Sequence, residues 1–328
     1  MAPPSRFPVS DHSDGQRFFN PSGQRPAAAF SALIKWGYQR LVLRQKINWP
    51  KAICQNREAI VPQLGASEKT AVTFIGHSTF LLQQPDLNLL TDPVFSERAS
   101  PFSWVGPKRV RPPALKLTEL PRIHVVLISH NHYDHLDLPT LRWLAREHQP
   151  QFITMLGNKT WLEKRGVKNV VELDWWQTHQ ARRGLEVTGT PAQHFSARWP
   201  WDRCQTLWGG FALKTPTGRF YFAGDSGYNQ TFKEIGARLG PFDLALIPIG
   251  AYEPRWFMQP VHCTPDEAVK IHQAVGSRQS WAMHFGTFQL TDEGIDDPAI
   301  ALAAARSTHG LEPMDFNVPD FGETKWVS

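Results

Sequence analysis

The chain has 328 residues, 41% of them hydrophobic. That is enough for one large core or two modest ones, since domains typically hold about 100–250 residues. With 35 basic and 30 acidic residues, a net charge of +5 and a pI near 9.2, the bias is mild: it suits an anionic substrate or surface and excludes a polybasic tail, so no nucleic-acid partner is expected.

The N-terminus, "MAPPSRFPVSDHSDGQRFF", lacks the apolar core of a secretory signal, and no apolar run approaches the ~18 residues of a membrane span. Cys54, Cys204 and Cys263 are far apart, odd in number and without a C-x-x-C pair, which argues against a disulfide framework or thiolate zinc site and for a reducing compartment. The expected location is therefore cytoplasmic, with peripheral contact at the inner face of a membrane left open. Rich in Pro, Ser, Gly and charge, the first two dozen residues read as an extended arm that orders only by packing on something. Next, "AAAFSALIKWGYQRLVLRQKINWP" reads as a basic amphipathic helix with Phe30, Leu33, Ile34, Gly37 and Leu41 on one stripe and Lys35 and Lys46 opposite. Arg40 and Arg44 interrupt the stripe, which favours packing on the protein over membrane contact. Residues 1–65 are thus expected to form an arm and helix ahead of a main domain at 66–328.

From about Thr70 short strands are expected: "AVTFIGHSTFLL", "LNLLTDP" (ended by Pro93) and "IHVVLISH". "LPTLRWLAREH" has helical spacing, and "QFITML", "LEVTGTP", "GGFALKT", "RFYFAGD", "DLALIPIG" and "SWAMHF" read as further strands. Thr264, Pro265 and Glu267 form a capping box with proline at the first helical position, and Gly276 is the expected C-cap. Many strands mixed with few helices predict an α/β sandwich.

"LISHNHYDHLD" (Leu127 to Asp137) packs three histidines and two aspartates behind an apolar strand. Residues two apart at a strand mouth project the same way, so His130 and His132 are placed to hold one metal ion while Asp134 and His135 turn toward a second. Imidazole with some carboxylate suits Zn²⁺ and tolerates Mn²⁺ or Fe²⁺. Two ions need more ligands, and His194, Asp225 and His284 each follow a predicted strand, for seven in all. Such a set leaves room for a bridging hydroxide. His12, His124, His148, His179, His272 and His309 are expected to be ordinary core or surface histidines.

The H-x-H-x-D-H loop followed by a distant His, Asp and His resembles the metallo-β-lactamase-fold hydrolases. That resemblance implies a four-layer αββα sandwich, with His130, His132 and His194 on one of two Zn²⁺ ions per chain, Asp134, His135 and His284 on the other, and Asp225 between them. Asp92 in "LLTDP" is similar to the aspartate that orients the ligand loop in that fold, although a turn aspartate before proline is an equal reading. A narrower resemblance runs from about Thr70 to Asp292. "GHSTFLL", "TDPVFSERASPFSWVGPKR", "ELDWW", "FAGDSGY", "GPFDLALIPIGAYEPRWFM" and "MHFGTF" are similar to the phospholipase D family that hydrolyses N-acylphosphatidylethanolamine.

That likeness implies a phospholipid or other anionic phosphodiester substrate, cleaved to phosphatidic acid and N-acylethanolamine by attack of a hydroxide from the dinuclear centre on phosphorus. His262 matches a substrate-contacting histidine of the family and Tyr133 a substrate-contacting tyrosine; both also admit structural roles. Arg255 in "YEPRWFM" is placed to hold a phosphate while its aromatic neighbours meet acyl chains, unless the segment is an ordinary loop. The alternatives are a lactonase or soluble-substrate phosphodiesterase of the same fold, and a non-catalytic metal-stabilised binding protein. A ligand set with space for water argues against the last, because structural zinc sites are closed.

Overall fold

A computed structural model describes residues 6–23, 30–42, 47–54 and 69–327. The chain begins with strands β1 (Val9–Ser10) and β2 (Ser13–Asp14), then helix α1 (Phe30–Leu41). Strands β3 (Thr70–Gly76), β4 (Thr79–Gln84), β5 (Leu87–Thr91) and β6 (Val125–Ile128) follow, then helix α2 (Leu138–Glu147), β7 (Gln151–Met155), α3 (Lys159–Glu163) and β8 (Val170–Leu173). The second half runs β9 (Thr178–Gln180), β10 (Glu186–Thr190), β11 (Gly210–Thr215), β12 (Gly218–Phe222), α4 (Thr231–Leu239), β13 (Phe242–Pro248), α5 (Arg255–Met258), α6 (Pro265–Val275), β14 (Ser277–Met283), α7 (Asp297–His309), β15 (Phe316–Asn317) and β16 (Thr324–Val327).

Two seven-stranded sheets, ordered β16-β3-β4-β5-β6-β7-β8 and β15-β14-β13-β12-β11-β10-β9, face each other across the main core. Phe74, Phe80, Leu127, Trp208, Phe211 and Phe222 fill the space between them. On the outer face of the first sheet, Leu141, Leu144 and Leu162 from α2 and α3 cover Ile75, Leu81, Leu90 and Val126. Phe232 and Ile235 of α4, Val269 and Ile271 of α6 and Leu302 of α7 extend the core beyond the second sheet. Every residue of β3 and β4 is buried because both faces of these strands are covered, which makes "AVTFIG" largely apolar on both faces, with Thr73 the one polar side chain. This is the expected four-layer αββα sandwich.

The capping box of α6 is complete: Thr264 Oγ1 accepts from the Glu267 amide at 3.1 Å and the Glu267 carboxylate accepts from the Thr264 amide at 2.8 Å. Gly276 closes the helix in the left-handed conformation, φ 65°. Helix α1 rests on the main domain through Trp36, which stacks on Phe257 at 5.0 Å and donates to Asp292 at 2.8 Å, and through the Arg40–Asp292 ion pair at 2.9 Å. Its inward face is therefore Trp36 and Arg40. Ile34 of the expected stripe points outward with Tyr38 and Val42, because an ion pair and an aromatic stack, and not the aliphatic stripe, make the contact. Arg44 and Lys46 lie outside the described residues.

The arm packs as well: Phe18 is fully buried in the main core and His12 stacks on Trp175 at 4.5 Å. No helix among the described residues is long and apolar enough to cross a membrane.

Beyond β13 the backbone passes so close to the loop after β14 that a Cβ on Gly250 would lie 2.1 Å from the His284 carbonyl oxygen. Gly250→Ala is expected to cost about 1–3 kcal/mol and to displace His284. Thermal unfolding together with metal content checks this; a variant with unchanged melting temperature and metal uptake would show that the approach is relaxed in solution.

Candidate metal centre

Strands β3 and β5 are each antiparallel to β4, and β5 runs parallel to β6. In the other sheet β10 and β12 are each antiparallel to β11, and β13 is parallel to both β12 and β14. Within each sheet the strands that precede His77, Asp92, His130, His194, Asp225 and His284 thus all run one way, and their carboxyl ends form a single rim. Parallel and sandwich architectures place ligand sites at such a rim.

There His130 Nε2 lies 2.9 Å from His132 Nδ1, and His194 Nε2 lies 3.2 Å from that same atom. A neutral imidazole has one N–H and one lone pair. His194 Nδ1 spends its proton on the Val261 carbonyl at 2.8 Å. His130 Nδ1 spends its own on Ser129 Oγ at 2.9 Å, whose hydroxyl donates to Asp92. Two lone pairs therefore converge on His132 Nδ1, which has at most one proton to offer. Burial pushes His130 and His132 well below the ordinary imidazole range and His194 down to about 4, so charging these rings does not resolve the convergence. A cation held by all three nitrogens does, and zinc–nitrogen bonds of about 2.0–2.1 Å in tetrahedral geometry set donors a little over 3 Å apart.

A second group surrounds the carboxylates. Asp134 Oδ2 lies 3.1 Å from His77 Nε2 and 3.3 Å from both His135 Nε2 and His284 Nε2. Asp225 Oδ2 is 3.1 Å from His135 Nε2, 3.0 Å from His284 Nε2 and 3.9 Å from His194 Nε2, which sets it between the two groups. Its other oxygen, Oδ1, is buried and has no hydrogen-bond partner among the described residues. Burial disfavours charge on His135 and His284, but the Asp225 and Asp134 carboxylates outweigh it, holding His135 well above its usual range and His284 up to about 9. Both donor groups thus demand positive charge, and the nitrogen and oxygen set fits divalent zinc, with manganese or iron tolerated.

The expected residues His130, His132, Asp134, His135, His194, Asp225 and His284 all meet here, and His262 joins them with its ring 5.0 Å from His194 and 5.3 Å from His284. Asp92 is fully buried and accepts from Ser129 N at 2.7 Å and His135 Nδ1 at 2.6 Å, the orienting role and not that of a solvent-facing turn. Tyr133 is half-buried; its hydroxyl donates to the Arg198 carbonyl and its ring carries the Arg198 guanidinium at 3.9 Å. The Arg255 guanidinium bonds Glu267 at 3.1 Å and the His262 carbonyl at 2.9 Å, so it fastens the His262 loop to α6.

His77 was not among the expected site residues. It sits in the β3–β4 turn with φ 57°, nearly inaccessible, its amide bonded to Thr287 Oγ1 and its ring 4.3 Å from that of His284. Burial, with His284 nearby, holds it down at about 3, so it stays neutral. The single signal was a histidine directly after a largely apolar strand.

Residues 87–285, more than half of the chain, match the family model described as "Beta-lactamase superfamily domain". The chain belongs to the β-lactamase superfamily of metal-dependent hydrolases. This hydrolase is 40% identical over 263 residues, 76% of itself and 74% of the relative, to N-acyl-phosphatidylethanolamine-hydrolyzing phospholipase D 1 of Caenorhabditis elegans. It is 35% identical over 259 residues to the mitochondrial N-acyl-phosphatidylethanolamine-hydrolyzing phospholipase D of Saccharomyces cerevisiae, spanning 77% of this chain and 55% of the yeast protein. Among solved structures, a possible metal-dependent hydrolase of Veillonella parvula superposes with a TM-score of 0.64 at 16% identity, covering 78% of this hydrolase and 99% of that chain, a likeness of fold.

His77→Phe retains the packing against Phe288 but removes the nitrogen facing Asp134. Metal uptake measured by chelator competition is expected to weaken about 10–100-fold with little change in melting temperature. Unchanged affinity for every ion would make His77 a packing residue.

Proposed function

We propose that this hydrolase is a zinc-dependent phosphodiesterase that cleaves N-acylphosphatidylethanolamine-type phospholipids to phosphatidic acid and N-acylethanolamine. The observation that carries the substrate is the 40% identity, over three quarters of the chain, to the nematode enzyme so named. The two donor groups sharing Asp225 support two ions: His130, His132 and His194 would hold one, Asp134, His135 and His284 the other. When bound, a pair of zinc ions lowers the pKa of water to about 7 and neutralises charge that builds on phosphoryl oxygens.

The chain's own residues set the rest. Asp92 and Ser129 fix the His135 and His130 rings so that Nε2 of each faces the centre. Burial holds the His262 ring well below its ordinary range, hence neutral, and its Nδ1 has no partner among the described residues. A neutral imidazole at that place presents a hydrogen bond to a substrate oxygen without competing with the cations for carboxylate. Tyr133, held by Arg198, forms a wall of a cavity beside the metal loop.

Hydrolysis of the purified, zinc-loaded protein's lipid substrate in oxygen-18 water tests the reaction. Label is expected in the phosphate of phosphatidic acid and none in the N-acylethanolamine. Label in the alcohol means carbon–oxygen cleavage, and release of diacylglycerol means the opposite leaving group. No lipid turnover alongside rapid opening of a lactone transfers the site to lactonase chemistry. A separate measurement concerns Asp225→Asn, which is expected to lower activity about 100-fold or more with a far smaller loss of stability; equal losses would make Asp225 structural.

A further inference from the structure

Beside the metal loop lies a cavity of about 700 Å³ whose wall includes Tyr133 and Leu136 of that loop. Four arginines line it: Arg98, Arg142, Arg165 and Arg198. Among the described residues, the side-chain hydrogen bonds of each go to backbone carbonyls. Arg98 donates to Ser103 and Gly106, Arg142 to Arg165, Arg165 to Trp161, and Arg198 to Asn131 and Leu136. Of the two acidic residues in the lining, Asp137 is consumed by the Phe95 and Ser96 amides and the Thr140 hydroxyl, and Glu97 pairs with Lys108. Arg198 is drawn by the Asp137 and Asp202 carboxylates, whereas Arg98, Arg142 and Arg165 form no ion pair among the described residues.

The rim above this charge is aromatic and faces solvent. Phe102 contacts Trp104 at 5.6 Å and Trp199 at 6.4 Å, and Trp199 stacks on Trp201 at 5.3 Å. Trp104 is 74% and Trp201 67% exposed. The display is built, since Arg98 clips the 101–106 loop through two carbonyls and Asp202 bonds the Arg198 and Trp199 amides of the other loop. Apolar rings held outward over unpaired arginines match one environment, the interface of an anionic bilayer, where tryptophan sits at headgroup level and arginine meets phosphate. A protein partner fits less well, because the centres of protein interfaces are depleted of charged groups.

We infer that the loops at 101–106 and 199–201 dock this hydrolase on an anionic phospholipid surface, the arginine cavity taking lipid phosphate next to the metal loop. The inference rests on the lipid-hydrolase reading, from which the test separates it.

The full chain is sedimented with vesicles of phosphatidylcholine alone and of phosphatidylcholine mixed with phosphatidylglycerol. Salt-sensitive binding to the mixed vesicles, with blue-shifted tryptophan emission, is expected. Trp104→Ser with Trp201→Ser is expected to weaken binding by about tenfold or more. Arg142→Gln and Arg165→Gln are each expected to weaken it roughly fivefold, on mixed vesicles only. Melting temperature and metal content of the variants monitor folding. Wild-type protein that hydrolyses detergent-dispersed lipid yet ignores vesicles overturns the docking while leaving the activity. Vesicle binding lost in the variants, without lipid hydrolysis by the wild type, supports docking and removes the substrate reading. Binding that survives all four substitutions overturns the inference and moves the contact elsewhere, for example to Ile34, Tyr38 and Val42 of α1. Self-association abolished by the tryptophan substitutions, with no vesicle binding, assigns the patch to a second copy.

Discussion

One buried carboxylate, Asp92, holds the site in shape. It lies at the end of β5 with no accessible surface and receives the Ser129 amide, the Ser129 hydroxyl at 2.5 Å and His135 Nδ1. Burial raises its pKa and the donors oppose that rise. A buried carboxylate is tolerated only when its lone pairs are answered, so the loop after β6 must keep this conformation or leave a charge stranded. Because Ser129 gives its proton to Asp92, it accepts from His130, and one carboxylate thereby sets the tautomers of rings in both donor groups.

Around that anchor the rim is tight. Asp92, His77, Ala251 and His284 all have positive φ, a region that side-chain-bearing residues seldom occupy. Such residues persist when their surroundings over-determine them. Here the surroundings are explicit: the His284 amide donates to the His77 carbonyl, the Ala251 amide to Glu293, and Thr79 Oγ1 to the Asp92 carbonyl. These bends help turn the strand ends toward one point, where imidazoles and two carboxylates leave an excess of lone pairs that positive charge satisfies.

The sequence made the loop from His130 to His135 legible because its donors are local, as are the capping signals of α6. His194, Asp225 and His284 were readable as donors at strand ends, but their convergence depends on strand direction and sheet docking. His77 escaped because a lone histidine in a hairpin turn carries no spacing signal; Asp134, its partner, is supplied by the fold. Arg255 was given a phosphate because its neighbours are aromatic; its pairing with Glu267, a full helix cap away, was not read from the sequence. On α1 the aliphatic pattern pointed to one face while Trp36 and Arg40 bound Asp292 and Phe257 with another, for partners so distant in the chain cannot be inferred from periodicity.

The two sheets divide the site between them. The first contributes His77, Asp92 and the His130–His135 loop, and the second contributes His194, Asp225 and His284, so neither half holds a complete donor group for two ions. The arm crosses this division: Phe18 enters the core between the sheets while Asn20 Oδ1 accepts the His194 amide at 3.0 Å. Docking of the sheets, seating of the arm and assembly of the donors are consequently one event. A cation bound by both halves adds its binding free energy to that docking. The polar groups that are costly to bury before the ions arrive are thus the ones that tie the sheets together once they have.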